Sequence, residues 1–216
     1  MINIIQEYLA RLIVLFTAIT VHECAHGYVA YKLGDPTAKY SGRLTLNPMA
    51  HFDPIGALCM VLFKFGWAKP VPINPMYFRD RKKGSALTAL AGPVSNILLA
   101  FVSTIFFSIY IAFVYVKFQN PLTDFVYILF QQLALVNISF AIFNLIPFPP
   151  LDGSKILGMF LSYQNYNKLL MYERFGFPIL IILSLTGALG AVLSFLITPI
   201  YTLWGIVVNG LISILL

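Results

Sequence analysis

His22 and His26 stand four residues apart in the run His22-Glu23-Cys24-Ala25-His26. On an α-helix, positions i and i+4 share a face and lie about 6 Å apart along the axis, so two imidazoles reach one metal ion. Glu23, one residue on, falls beside such an ion rather than on it, where it can take a proton from a water that the metal has made acidic. The chemistry this predicts is zinc-dependent hydrolysis with Glu23 as general base. The chain has three histidines, and two of them form this pair. The competing role is a structural histidine pair hydrogen-bonded inside a helix bundle. Strongly charged groups within an apolar span cost roughly 3 kcal/mol or more, which makes an idle cluster of ionisable residues uncommon.

Catalytic zinc commonly takes three protein ligands and keeps one position for water. Asp152 is the candidate for the third. It follows Asn144-Leu145-Ile146-Pro147-Phe148-Pro149-Pro150-Leu151, where prolines stop a helix, and precedes Gly153, which allows close backbone approach. An N-cap for the helix that begins near Ser154 is the alternative role, and the unfilled zinc site favours the ligand. Cys24 points off the ligand face by helical geometry and has no assigned chemistry.

These residues sit in an apolar chain. Hydrophobic residues make up 59% and charged residues 10%, with mean hydropathy +0.84. Soluble domains carry about 25% charged residues, so lipid is the solvent to consider. A spanning helix needs roughly 20 mostly apolar residues. Approximate spans are predicted over 8–33, 86–116 and 125–146, with 175–216 as one or two helices broken near Gly187, Gly190 or Pro199. Residues 37–66 are polar, then briefly apolar, and predict a re-entrant or interfacial segment in which 39–46 forms a short hairpin or extended strand. The expected fold is an all-α polytopic membrane bundle, a single membrane-embedded domain over residues 1–216. The two cysteines, Cys24 and Cys59, do not suggest a disulfide scaffold. The net charge of +6 is better read as cytoplasmic loop residues than as a nucleic-acid surface.

The His22–His26 span together with the Asn144-to-Gly153 segment resembles the site-2 protease family of intramembrane zinc metalloproteases. Three further stretches are similar to its compact bacterial and archaeal branch: Gly42-Arg43-Leu44-Thr45-Leu46-Asn47-Pro48 with His51 and Asp53-Pro54, Gly66-Trp67-Ala68-Lys69-Pro70-Val71-Pro72, and Ala91-Gly92-Pro93-Val94-Ser95-Asn96. The resemblance implies one zinc ion on His22, His26 and Asp152, a catalytic Glu23, and Asn144 positioning substrate or stabilising the oxyanion. An interhelical hydrogen bond is the alternative for Asn144. It also implies substrates that are single-span proteins or signal-peptide remnants, met within membrane lipid, with no nucleic acid. The links between spans are too short for an inserted regulatory domain. Asn96 is either a brace for the backbone carbonyl that Pro93 frees or a support to the site. His51 is either a loop brace or a residue near the substrate path.

Residues 32–83 hold Lys32, Lys39, Arg43, Lys64, Lys69, Arg79, Arg81, Lys82 and Lys83, nine of fourteen basic residues, whereas the link 117–124 holds Lys117 alone. The positive-inside rule predicts a multi-pass protein of a prokaryotic plasma membrane with the first region, and the metal site, toward the cytoplasm. A metal transporter would also carry His and Asp in spans. It has no need of a non-ligand carboxylate at Glu23, and it would be expected to repeat its motif in two halves.

Overall fold

The computed structural model describes residues 4–56, 59 and 66–216. Its helices are α1 (Ile4–Lys32), the single turn α2 (Thr37–Tyr40), α3 (Arg81–Tyr110), α4 (Pro121–Leu145), α5 (Asp152–Phe160), α6 (Tyr163–Leu185) and α7 (Ala188–Leu215). No strand occurs among the described residues. Four helices are long and apolar enough to cross a membrane: α1, α3 with the π-helical turn Ile111–Tyr115 that extends it, α4 and α7.

The boundaries follow local chemistry. Asp80 caps α3, its carboxylate accepting from the Lys83 N–H at 3.0 Å. Asn120 and Thr123 form a reciprocal capping box ahead of α4, with Pro121 in the first turn, where its missing N–H costs nothing. After Leu145 the prolines at 147, 149 and 150 deny further helix until Asp152. Between α6 and α7 the chain turns at Gly187 with φ +77°, a conformation L side chains rarely adopt. The stretch 175–216 is therefore two helices, broken at Gly187, while Pro199 sits inside α7.

One expectation fails. The hairpin or extended strand over 39–46 is absent. Asp35 accepts from the Thr37 N–H (3.0 Å) and from its hydroxyl, which starts α2, and Ser41 bonds back to the Thr37 carbonyl. Gly42 at φ +67° then turns the chain, and alternation never becomes a pleat. Of the proposed re-entrant run 55–65, most lies outside the described residues. Pro54–Gly56 are helical, with the Asp53 carboxylate accepting from the N–H groups of Ile55 and Gly56.

The central element is α3, which packs against α1, α4, α5 and α7. Its buried face is small: Gly84, Ser85, Ala89, Gly92, Asn96, Ala100 and Ser103. Its other face exposes Leu87, Leu90, Leu98, Phe101 and Phe106. Large apolar residues outside and small ones between helices is the pattern of a bundle in lipid, where close backbone approach drives packing. The second half of α7 lies against the far end of α3, with Trp204 donating to the Thr104 hydroxyl at 2.8 Å and stacking on Phe107.

α1 lies tight against α3 at Gly92, where an added Cβ would lie 2.5 Å from Cε1 of both His22 and His26. Neither ring can yield without leaving its partners. Gly190 is exposed, and nothing lies within 4 Å of its Cβ position. Gly92→Ala is expected to cost about 1–3 kcal/mol, while Gly190→Ala is neutral or stabilising by up to about 1 kcal/mol. Thermal denaturation of the two variants in detergent checks this ordering.

Candidate metal centre

The C-terminal half of α1 presents His22 and His26 on one face, and the first turn of α5 brings Asp152 to them. All three side chains are buried. The two Nε2 atoms are 3.0 Å apart, and Asp152 Oδ2 lies 3.1 Å from that of His22 and 3.2 Å from that of His26.

The outer ring nitrogens decide which protons are present. His22 Nδ1 faces the side-chain oxygen of Asn96 at 2.7 Å, and His26 Nδ1 faces the backbone carbonyl of Thr88 at 2.7 Å. Both partners are acceptors, so both Nδ1 atoms donate, and both Nε2 lone pairs turn inward. The orientation of Asn96 is itself fixed. Its Nδ2 donates to the Ala18 carbonyl (3.1 Å) and to Asn137 Oδ1 (2.6 Å), and Asn137 donates onward to Leu133. Asp152 Oδ2 is fully enclosed, and no hydrogen-bond donor reaches it.

Three acceptor atoms thus meet in an apolar interior. A shared proton relieves one edge of that triangle, and only a cation at its centre relieves all three. Two imidazole nitrogens and a carboxylate oxygen are a zinc donor set, and tetrahedral bonds of about 2.0–2.1 Å would set the donors about 3.3 Å apart. The observed spacing fits that ion. Gly153 sits where a Cβ would collide with the Leu145 and Ile146 carbonyls, so the close approach read from the sequence is real.

Glu23 lies beside this trio and outside it, with Oε2 accepting from the Val71 N–H at 2.8 Å. It faces a cavity of about 530 Å³, together with Val71, Phe140, Phe143, Asn144 and Leu180. The Asn144 amide donates to the Phe140 carbonyl one turn back (2.9 Å) and lines the same cavity as the trio, with no hydrogen bond to it. Asn96 proves to be the acceptor for His22, and it bonds no carbonyl freed by Pro93. His51 is a loop brace: its Nε2 donates to the Thr45 carbonyl and its own carbonyl accepts from Lys69. Sequence reading missed Thr88, which acts through its backbone oxygen, and Gly92 and Val71, which act through a missing side chain and an N–H. Asn137 was visible as one of four amide side chains in the apolar α4.

The model of Peptidase family M50 matches residues 120–183. The protein named Putative zinc metalloprotease YwhC from Bacillus subtilis (strain 168) is 38% identical over 204 residues, covering 94% of this chain and 88% of that one. Putative zinc metalloprotease Rip2 from Mycolicibacterium smegmatis is 26% identical over 80% of this chain and 65% of its own length. Zinc metalloprotease MJ0392 from Methanocaldococcus jannaschii is 27% identical over 89% of this chain, which spans about half of that relative. No solved structure shows a significant match. With a relative this similar along nearly the whole of both chains, and with four apolar helices of spanning length, the chain is a multi-pass membrane protein that belongs to peptidase family M50.

Proposed function

We propose that the protein is a zinc metalloendopeptidase that hydrolyses peptide bonds within the transmembrane segments of membrane proteins. The observation that carries this is the triangle of His22, His26 and Asp152 acceptors, buried within the bundle and flanked by a carboxylate that is not part of it. In this reading His22, His26 and Asp152 hold the ion, and Asn96 and the Thr88 carbonyl fix the two rings for it. Zinc, when bound, supplies the Lewis acidity that makes a water nucleophilic at neutral pH and polarises a carbonyl.

Glu23 takes the proton from the attacking water and returns it to the leaving amine. Asn144, on the cavity wall, keeps one amide hydrogen on the Phe140 carbonyl and donates the other to the oxyanion of the tetrahedral intermediate. The cavity walls Phe140, Phe143 and Leu180 exclude bulk water and accept apolar side chains. A substrate helix must unwind locally to enter, because its own turns shield each peptide bond. Substrates of this kind are single-span proteins and signal-peptide remnants, delivered through the surrounding lipid. The site faces the cytoplasm. The positive-inside rule supports this: it puts the basic stretch 32–83 in the cytoplasm, α1 leads into that stretch with His26 six residues before its end, and Asp152 follows the end of α4 by seven residues.

Three outcomes follow. Glu23→Gln is expected to bind zinc as the parent does and to lose cleavage of a model single-span substrate by about 10²–10⁴-fold, measured by metal analysis and by the rate on the same preparation. Asp152→Ala removes one of three ligands, and its zinc affinity, measured by competition with a chelator, is expected to fall by at least about 10-fold, since even partners that only orient a ligand are worth 10–100-fold; unchanged affinity would reduce Asp152 to a helix-start residue. In a background lacking Cys24 and Cys59, single cysteines at Lys82 and Asn120 are expected to label from opposite faces, Lys82 from the cytoplasm. Labelling from one face would overturn the topology.

A further inference from the structure

Between the 3₁₀ turn at Pro48–Ala50 and the start of α3, residues 67–74 run past the metal centre without helix or strand. Three backbone N–H groups pin this strap. Lys69 donates to the His51 carbonyl (3.0 Å), Val71 to Glu23 Oε2 (2.8 Å) and Asn74 to Asp35 Oδ2 (2.6 Å). Arg43 adds a bond to the Lys69 carbonyl at 2.7 Å. The middle contact is peculiar in its sequence. Val71 lies between Pro70 and Pro72, so its N–H is the one backbone donor of the triplet, and the following proline biases Val71 to extended backbone.

The approach is made possible from the α1 side. Gly27 is four residues after Glu23, on the same helix face. A Cβ there would lie 3.2 Å from Val71 Cγ1, and the buried Val71 side chain fills the space left by its absence. A carboxylate on a long side chain has several rotamers, and among the described residues no other hydrogen bond reaches Glu23.

We propose that Val71 is a positioning residue of the peptidase reaction: its backbone N–H holds one oxygen of Glu23 in a fixed place and leaves the other to take the proton. This rests on the reading of Glu23 as the base. The strap is then part of the catalytic apparatus through a backbone atom, with the flanking prolines and Gly27 serving to present it.

The test uses the full-length protein in detergent with one synthetic single-span peptide as substrate. Residue 71 is replaced by α-hydroxyisovaleric acid, which swaps the N–H for an ester oxygen and keeps the valine side chain. Glu23→Gln is measured beside it, each with its zinc content. The ester is expected to lower kcat by about 10–100-fold, part of the 10²–10⁴ that a positioned base supplies, with KM and zinc unchanged. An ester variant with parental kcat, or one that loses zinc in step with activity, overturns the proposal. Activity retained in Glu23→Gln overturns the base assignment and the clamp with it, whereas an inactive Glu23→Gln beside an active ester overturns the clamp alone.

Discussion

Two imidazole nitrogens and a carboxylate oxygen, each with a lone pair and none with a proton to offer the others, lie about 3 Å apart inside an apolar bundle. Left to itself this arrangement repels and is starved of water, and proteins bury such groups only with a compensating charge. Much of the surrounding structure reads as the means of maintaining it. Asn96 and the Thr88 carbonyl hold the ring protons on the outside, Asn137 holds Asn96, and Gly92 lets α3 come close enough for all three. The prolines after Leu145 end α4 at the depth where Asp152 is needed, and Gly153 lets the chain pass under the carbonyls of Leu145 and Ile146.

The same demand explains why α3 is central and unlike its neighbours. A helix that must support two imidazoles on one face and pack on α4 and α7 elsewhere cannot carry large side chains inward. It carries Gly, Ala, Ser and Asn inward and sends Leu and Phe to the lipid side. In water that distribution would be inverted and unstable. In a bilayer the outward residues are already solvated, and close contact between backbones supplies the packing. Far from the centre, aromatic residues take over, as where Phe107, Tyr127 and Trp204 join α3 to α4 and α7.

Much of this was legible in the sequence because it depends on residue type and spacing. The His22–His26 interval fixes a shared helix face whatever surrounds it, and a lone carboxylate after a proline run in an apolar chain has few roles. The stretches 8–33, 86–116 and 125–146 stood out by length and apolarity and lie on α1, α3 and α4, whereas 175–216 divides between the end of α6, which starts at Tyr163, and α7. What was not legible depends on backbone groups and on absences. No side-chain pattern announces that the Thr88 carbonyl will meet His26, or that the Val71 N–H will meet Glu23. The strand expected over 39–46 rested on alternation alone, and Asp35, wholly buried and bonded to Thr37 and Asn74, turned that segment into a helical turn instead. Asn96 could not be assigned because its spacing from Pro93 suggested a local defect, whereas its partners are 41, 74 and 78 residues away.

The central claim is that one zinc ion sits on two histidines and one aspartate. X-ray absorption at the zinc edge of the purified protein in detergent reads that ligand set directly. The account predicts four nitrogen or oxygen neighbours at about 2.0–2.1 Å with the outer-shell signature of two imidazoles and no sulfur. A sulfur neighbour near 2.3 Å, which only Cys24, Cys59 or a methionine could supply, or an imidazole count other than two, would contradict it.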